Sequence, residues 1–181
     1  MTLWSRCTAF AAVLLVAAAA TAEPLIRRTT LLVSDPIASQ EFYEALGFRV
    51  WLDWAGDQDP NDPLALPLTG SPGNSRVIVM AAADDYAGMI GLLAFDNPPL
   101  DSNRTLAGKL GVNDIIMMIE VTNFDDVAAA VMALDTPLLR PPGPYESNGP
   151  AGRKTGRNML VRDPDGYVIE VTSVETIDPL N

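Results

Sequence analysis

One segment of this chain occurs twice, and that repeat restricts the fold more than any other feature. Val33-Ser34-Asp35 is matched 88 residues later by Val121-Thr122-Asn123, and Leu46 follows Val33 by the same 13 residues that separate Leu134 from Val121. Two copies of one supersecondary unit sharing a core is the direct reading of such a period. In the first copy a run rich in Thr and branched residues begins near Leu25 and ends at Leu31-Leu32-Val33, as a strand would. Asp35 then suits a helix N-cap and Pro36 its first turn; Ala38, Phe42, Ala45 and Leu46 share one helical face, and Gly47 ends the helix. Residues 48–54 alternate as a second strand, residues 55–74 form a loop rich in Asp, Pro and Gly, and apolar runs at 76–82 and 89–95 supply two more strands. The unit is β-α-β-β-β.

The second copy repeats this order. Asn123 is the candidate N-cap, Asp125 and Asp126 complement the helix dipole, and Phe124, Val127, Val131 and Leu134 form the buried stripe. Strands are expected near 138–140, 158–162 and 167–174, with Asp163-Pro164-Asp165-Gly166 turning between the last two. The fold class is therefore α+β, with modules at about 25–96 and 114–175 and a linker at 97–113 that carries Pro98, Pro99 and Gly111.

Composition narrows the chemistry. The 181 residues include no histidine and one cysteine, which removes Ser-His-Asp and Cys-His triads, HExxH zinc sites and every metal site that needs imidazole. A formal charge of -11 argues against an electrostatic nucleic-acid binder, because neutralising phosphates needs a basic face. At the N-terminus Arg6 precedes an apolar run at 9–20, and Ala20-Thr21-Ala22 offers the small-x-small pattern of a signal peptidase site. The run is short for a membrane span of about 20 residues, although a retained anchor is the alternative. Cleavage after Ala22 would leave 159 residues of charge -12, lacking Cys7 and so unable to form a disulfide. The expectation is an exported protein, periplasmic or extracellular, held by its core alone.

The stretch Val33-x-Asp35-x-x-x-Ser39-x-x-Phe42-Tyr43-x-x-Leu46-Gly47-Phe48 resembles the first-module signature of the vicinal oxygen chelate superfamily, which includes glyoxalase I, extradiol dioxygenases and bleomycin-resistance proteins. Residues 162–171, Arg-Asp-Pro-Asp-Gly-Tyr-Val-Ile-Glu-Val, are similar to its closing hairpin. The resemblance covers roughly residues 25–175 and implies two βαβββ modules forming a curved mixed sheet around a cleft. It also implies a small-molecule site, often with a divalent metal held by His, Glu or Gln from the first and last strands of the modules. Matched onto this chain, those positions are Arg28, Ile116, Leu92 or Leu93, and Glu170. A guanidinium has no free lone pair, an isoleucine has no donor, and one carboxylate cannot build the shell of Fe, Ni or Zn. The expectation is no metal and no cofactor.

Strand alternation then fixes a floor. With Arg28 inward, Thr30 and Leu32 follow, and Leu31 and Val33 pack under the helix; Ile116, Met118 and Glu120 form the second set, and Glu170 shares its face with Val168 and Thr172. A buried Arg28 is expected to pair with Glu170 or Glu120, or else to anchor a carboxylate or polar group of a ligand. Trp51 and Trp54 could stack on a planar ligand, and Met80 and Met118 could line an adaptable pocket, with ordinary packing as the alternative for each. The basic run 152–157, including Arg157, reads as an anion-attracting cap over the cleft or as a solvated loop, and Tyr145 would belong to the same lid. The acidic stretch 57–62 lacks the spacing of a calcium loop.

Three functions fit. The first is a metal-independent binder of a small, partly hydrophobic molecule, of bleomycin-resistance type. The second is a lyase or dioxygenase of the same superfamily in which Glu170 is the catalytic base or a residual ligand. The third is a structural or interaction protein with a vestigial cleft. The partners expected are a small-molecule ligand, no nucleic acid, no membrane once the leader is removed, and at most a second copy of the chain in a homodimer.

Overall fold

A computed structural model describes residues 23–59, 61–62, 66–101 and 109–179. The expected leader, parts of the acidic loop and part of the linker lie outside the described residues. The element order is β1 Arg28–Leu32, α1 Pro36–Ala45, β2 Arg49–Asp57, β3 Asn74–Ala81, β4 Met89–Asp96, β5 Ile116–Glu120, α2 Phe124–Ala133, β6 Leu138–Gly149, β7 Gly152–Arg162 and β8 Val168–Asp178. Two four-stranded mixed sheets result, ordered β1-β4-β3-β2 and β5-β8-β7-β6, with the first strand of each module parallel to the last. The architecture is α+β, two βαβββ modules.

Helix α1 starts as its sequence dictates. Asp35 Oδ1 accepts from the Ile37 and Ala38 amides at 2.9 and 3.1 Å, Pro36 opens the first turn, and Gly47 adopts φ 95° just beyond the end. Helix α2 departs from expectation, because the Asn123 side chain makes no capping hydrogen bond. Asp125 and Asp126 occupy its first turn instead, and Arg157 pairs with Asp125 while lying 5.0 Å over the Phe124 ring. Phe42, Tyr43 and Phe48 meet edge to face and join one buried cluster with Leu31, Val131, Met159 and Ile169. Met80 belongs to this core, fully buried, rather than to any pocket. Each such side chain contributes about 1.5 to 3 kcal/mol of burial, the scale on which a fold without disulfides depends.

The second module's hairpin is much longer than the sequence suggests. Pro141 and Pro142 and the Gly/Lys/Arg run read as loops, yet β6 and β7 extend through both. The prolines are tolerated because β6 is an edge strand, with register shifts on either side of Arg140. The basic run 152–157 is strand, not a flexible cap, and Tyr145 is in β6, not a lid loop. A bidentate Glu146–Arg153 pair at 2.6 Å and a Thr155–Thr176 hydroxyl contact at 2.6 Å hold it.

The turn at 163–166 joins the two modules. Asp163 is fully buried; Oδ1 accepts from the Asp165 and Tyr167 amides at 3.1 and 2.8 Å, and Oδ2 accepts from the Tyr43 hydroxyl at 3.1 Å. Asp165 accepts from the Ser34 amide at 2.8 Å and the Ser39 hydroxyl at 3.3 Å, and the Tyr167 hydroxyl donates to the Leu32 carbonyl at 3.2 Å. Burial, opposed in part by the Tyr167 amide, pushes the Asp163 carboxyl up to about 6. Burial and the neighbouring Asp163 charge push the Tyr43 hydroxyl well above its ordinary value.

Candidate functional site

Each sheet buries one face beneath the helices and leaves the other open. Leu31 and Val33 are buried while Leu32 is 45% exposed; Ile116 and Met118 are exposed while Met117 and Ile119 pack on the core. The alternation expected for β1 and β5 therefore holds, and the open faces carry the candidate residues.

The parallel registers show which positions correspond. Arg28 pairs with Met89 and Thr30 with Gly91; Ile116 pairs with Val168 and Met118 with Glu170. Gly91, not Leu92 or Leu93, is thus the first module's counterpart of Glu170. Leu92 is fully buried in the core, and Leu93 pairs with Leu32. The four related positions hold a guanidinium, a glycine, an isoleucine and one carboxylate. Among the described residues no group of three or more Cys, Asp or Glu is arranged to hold a metal ion. This donor set does not fit a divalent metal shell.

Two depressions lie on the open faces, one per module. The first, about 530 Å³, is lined by Arg28, Thr30, Trp51, Val79 and Met89, with residues 25–27 at its rim. A β-bulge between Val50 and Leu52 releases Trp51 from the strand alternation and lets it reach this wall. Trp54 does not join it; its ring lies over Gly56 on its own strand. The second depression, about 390 Å³, gathers Met118, Glu120, Arg140, Tyr145, Asn158 and Glu170, with Lys154 and Thr172. Glu170 Oε1 accepts from Asn158 Nδ2 at 3.0 Å and from Arg140 at 3.2 Å. Thr172 is 3% exposed, and its hydroxyl has no hydrogen-bond partner among the described residues.

Three expectations need correction. Arg28 is exposed and contacts neither Glu170 nor Glu120; Arg140 is the partner of Glu170. The expected pairing required β1 and β8 to meet at one point, whereas they are in separate sheets beside β4 and β5. Arg157 is not a cleft residue, because its neighbour Asn158 takes the open face and Arg157 points to α2. Leu32 and Ile116 lie on the open faces, exposed, but line neither depression. Sequence reasoning missed Arg140, Asn158 and Gly91. Asn158 opens the strand expected at 158–162, and its pairing with Thr172 was countable through the 163–166 turn; the position of Gly91 needed the register.

Residues 25–171 match the family model for the glyoxalase/bleomycin resistance protein/dioxygenase superfamily. The chain belongs to that superfamily. Among solved structures it is similar to a glyoxalase family protein from Bacillus cereus, at 16% identity and TM-score 0.65, covering 87% of this chain and 99% of that one. A glyoxalase/bleomycin resistance protein/dioxygenase from Alicyclobacillus acidocaldarius gives 11% identity and TM-score 0.46, covering 83% and 92%. An antibiotic binding protein from a Streptomyces species gives 18% identity and TM-score 0.46, covering 86% and 99%. No curated protein matches the chain. Among the described residues no helix is long and apolar enough to cross a membrane.

Proposed function

We propose that this is an exported, metal-independent binder of a small, partly hydrophobic molecule. The observation that carries the reading is the pair of open sheet faces, where Leu32, Trp51, Ile116 and Met118 are each 45% or more exposed beside depressions that also offer polar anchors. Exposed apolar area of this kind in an acidic chain marks a surface that binds something, and sites of this size suit small ligands. A carboxylate, a guanidinium and apolar walls suffice for binding without a metal. The apolar faces are also compatible with a homodimer. Native mass spectrometry of protein purified from its own compartment tests the proposal. The expected species starts at Glu23 and retains a small organic molecule. A chain starting at Met1 would overturn export, and one equivalent of Zn, Ni or Fe surviving dialysis but lost in Glu170→Ala would overturn metal independence.

A second reading is favoured by one observation, the fixing of Glu170 by Asn158 and Arg140, which positions a carboxylate as a lyase or dioxygenase of the superfamily would need. Turnover of a retained ligand, abolished by Glu170→Gln, would support it over binding alone.

A further inference from the structure

We infer that the depression of the first module is an anion site that takes an aromatic carboxylate, with Arg28 holding the carboxylate and Trp51 flanking the ring. This rests on the small-molecule reading above and adds the ligand's chemistry and its place.

The charge distribution carries the argument. The chain has 23 acidic and 12 basic residues, and its other described arginines are engaged. Arg49, Arg76, Arg140, Arg153 and Arg157 each have an acidic partner. Arg162 donates to the Gly166 carbonyl, and Arg27 lies 4.6 Å over the Tyr86 ring. Arg28 has no hydrogen bond or ion pair among the described residues. The depression it lines contains Arg27 as well and no carboxylate, whereas its counterpart in the second module contains three glutamates. In so acidic a chain, a concavity with an unpaired guanidinium and no acid selects for an anion.

Gly91 fixes the position of Arg28. A β-carbon there would lie 2.9 Å from Thr30 Oγ1, 3.1 Å from Arg28 Cδ and 3.3 Å from Arg28 Nε. The bare backbone lets the Arg28 stem lie against the sheet, so the guanidinium is carried over β4 beside Trp51. A guanidinium presents a planar fork that matches a carboxylate in two parallel hydrogen bonds. Trp51, 47% exposed, with Val79 and Met89 buried in the floor, supplies an aromatic wall and apolar base. An anion with an attached ring uses both features; a small inorganic anion uses only the first.

The test uses the full mature chain and three probes: 2-naphthoate, neutral 2-naphthamide and acetate, titrated by calorimetry at fixed ionic strength. Measurable binding of 2-naphthoate is expected, with 2-naphthamide and acetate at least about tenfold weaker, the scale of a lost charged hydrogen bond. Arg28→Met should weaken 2-naphthoate about tenfold or more and leave 2-naphthamide unchanged. Gly91→Ala should weaken it by displacing the stem. Arg76→Gln removes an equal charge elsewhere and should change nothing; equal losses in Arg28→Met and Arg76→Gln would overturn the site. Equal binding of naphthoate and naphthamide would also overturn it. If the purified protein retains a neutral molecule and binds no aryl anion, this inference fails and the binding function stands. If it retains nothing and binds no probe, both fail.

Discussion

At matching register positions β4 carries Gly91 and β8 carries Glu170, while β1 carries Arg28 and β5 carries Ile116. The same unit has therefore produced a cationic depression lined by no carboxylate in one module and a glutamate-rich one in the other. The hairpin turns differ in the same way. Asp84 accepts from the Tyr86 and Ala87 amides at 2.6 and 2.8 Å in an exposed turn, and these bonds hold its carboxyl below the ordinary value. Asp163 makes the equivalent pair of bonds, but Tyr43 and the first module close over it and burial drives its carboxyl the other way. Local turn chemistry is shared; what the rest of the molecule places on top decides the electrostatics.

The sharpest way to break this comparison is Asp163→Leu, which strands the Tyr43 hydroxyl and two amides. A loss of about 3 kcal/mol or more is expected in urea unfolding. Asp84→Leu should move the midpoint far less, since water reaches the amides it leaves. Next in size is a pH effect. The folded Asp163 carboxyl, near 6, takes a proton more readily than the unfolded one at 3.8. Its contribution is therefore greatest below pH 3.8, falls as pH rises toward 6 and stays constant above, a change on the order of 3 kcal/mol. Asp163→Asn should flatten that slope, as stability curves between pH 4 and 7 would show. Arg140→Met should cost less than about 1 kcal/mol, because its pair with Glu170 is half open to solvent on the arginine side. Smallest is Arg28→Met, expected to lie within about 0.5 kcal/mol by thermal unfolding, since Arg28 is exposed and has no ion-pair partner to strand.

Much of the fold was legible because β1, β5 and α1 obey local rules. Thr30 and Leu32 alternate with buried Leu31, Asp35 caps, and Gly47 adopts the positive φ that ends a helix. Reading failed where edge position overrides composition. Pro141 and Pro142 enter β6 because its outer side has no partner to lose, and β7 begins at Gly152 rather than near Asn158, so Arg157 read as part of a loop instead of a strand residue facing α2. The site was legible as a set of faces and not as a set of partners. Arg140 reaches Glu170 across β7, a contact 30 residues apart in the chain that no local pattern encodes.

The Tyr43–Asp163 bond also has a direction in time. Its two residues are 120 positions apart, so a chain emerging N-terminus first presents α1 long before the turn that covers it exists. Until the last hairpin arrives, the Tyr43 hydroxyl and the apolar side of α1 lack their final neighbours. Contacts of such long range form late and slow the search for the native state. The closing hairpin is therefore the step that completes both modules at once.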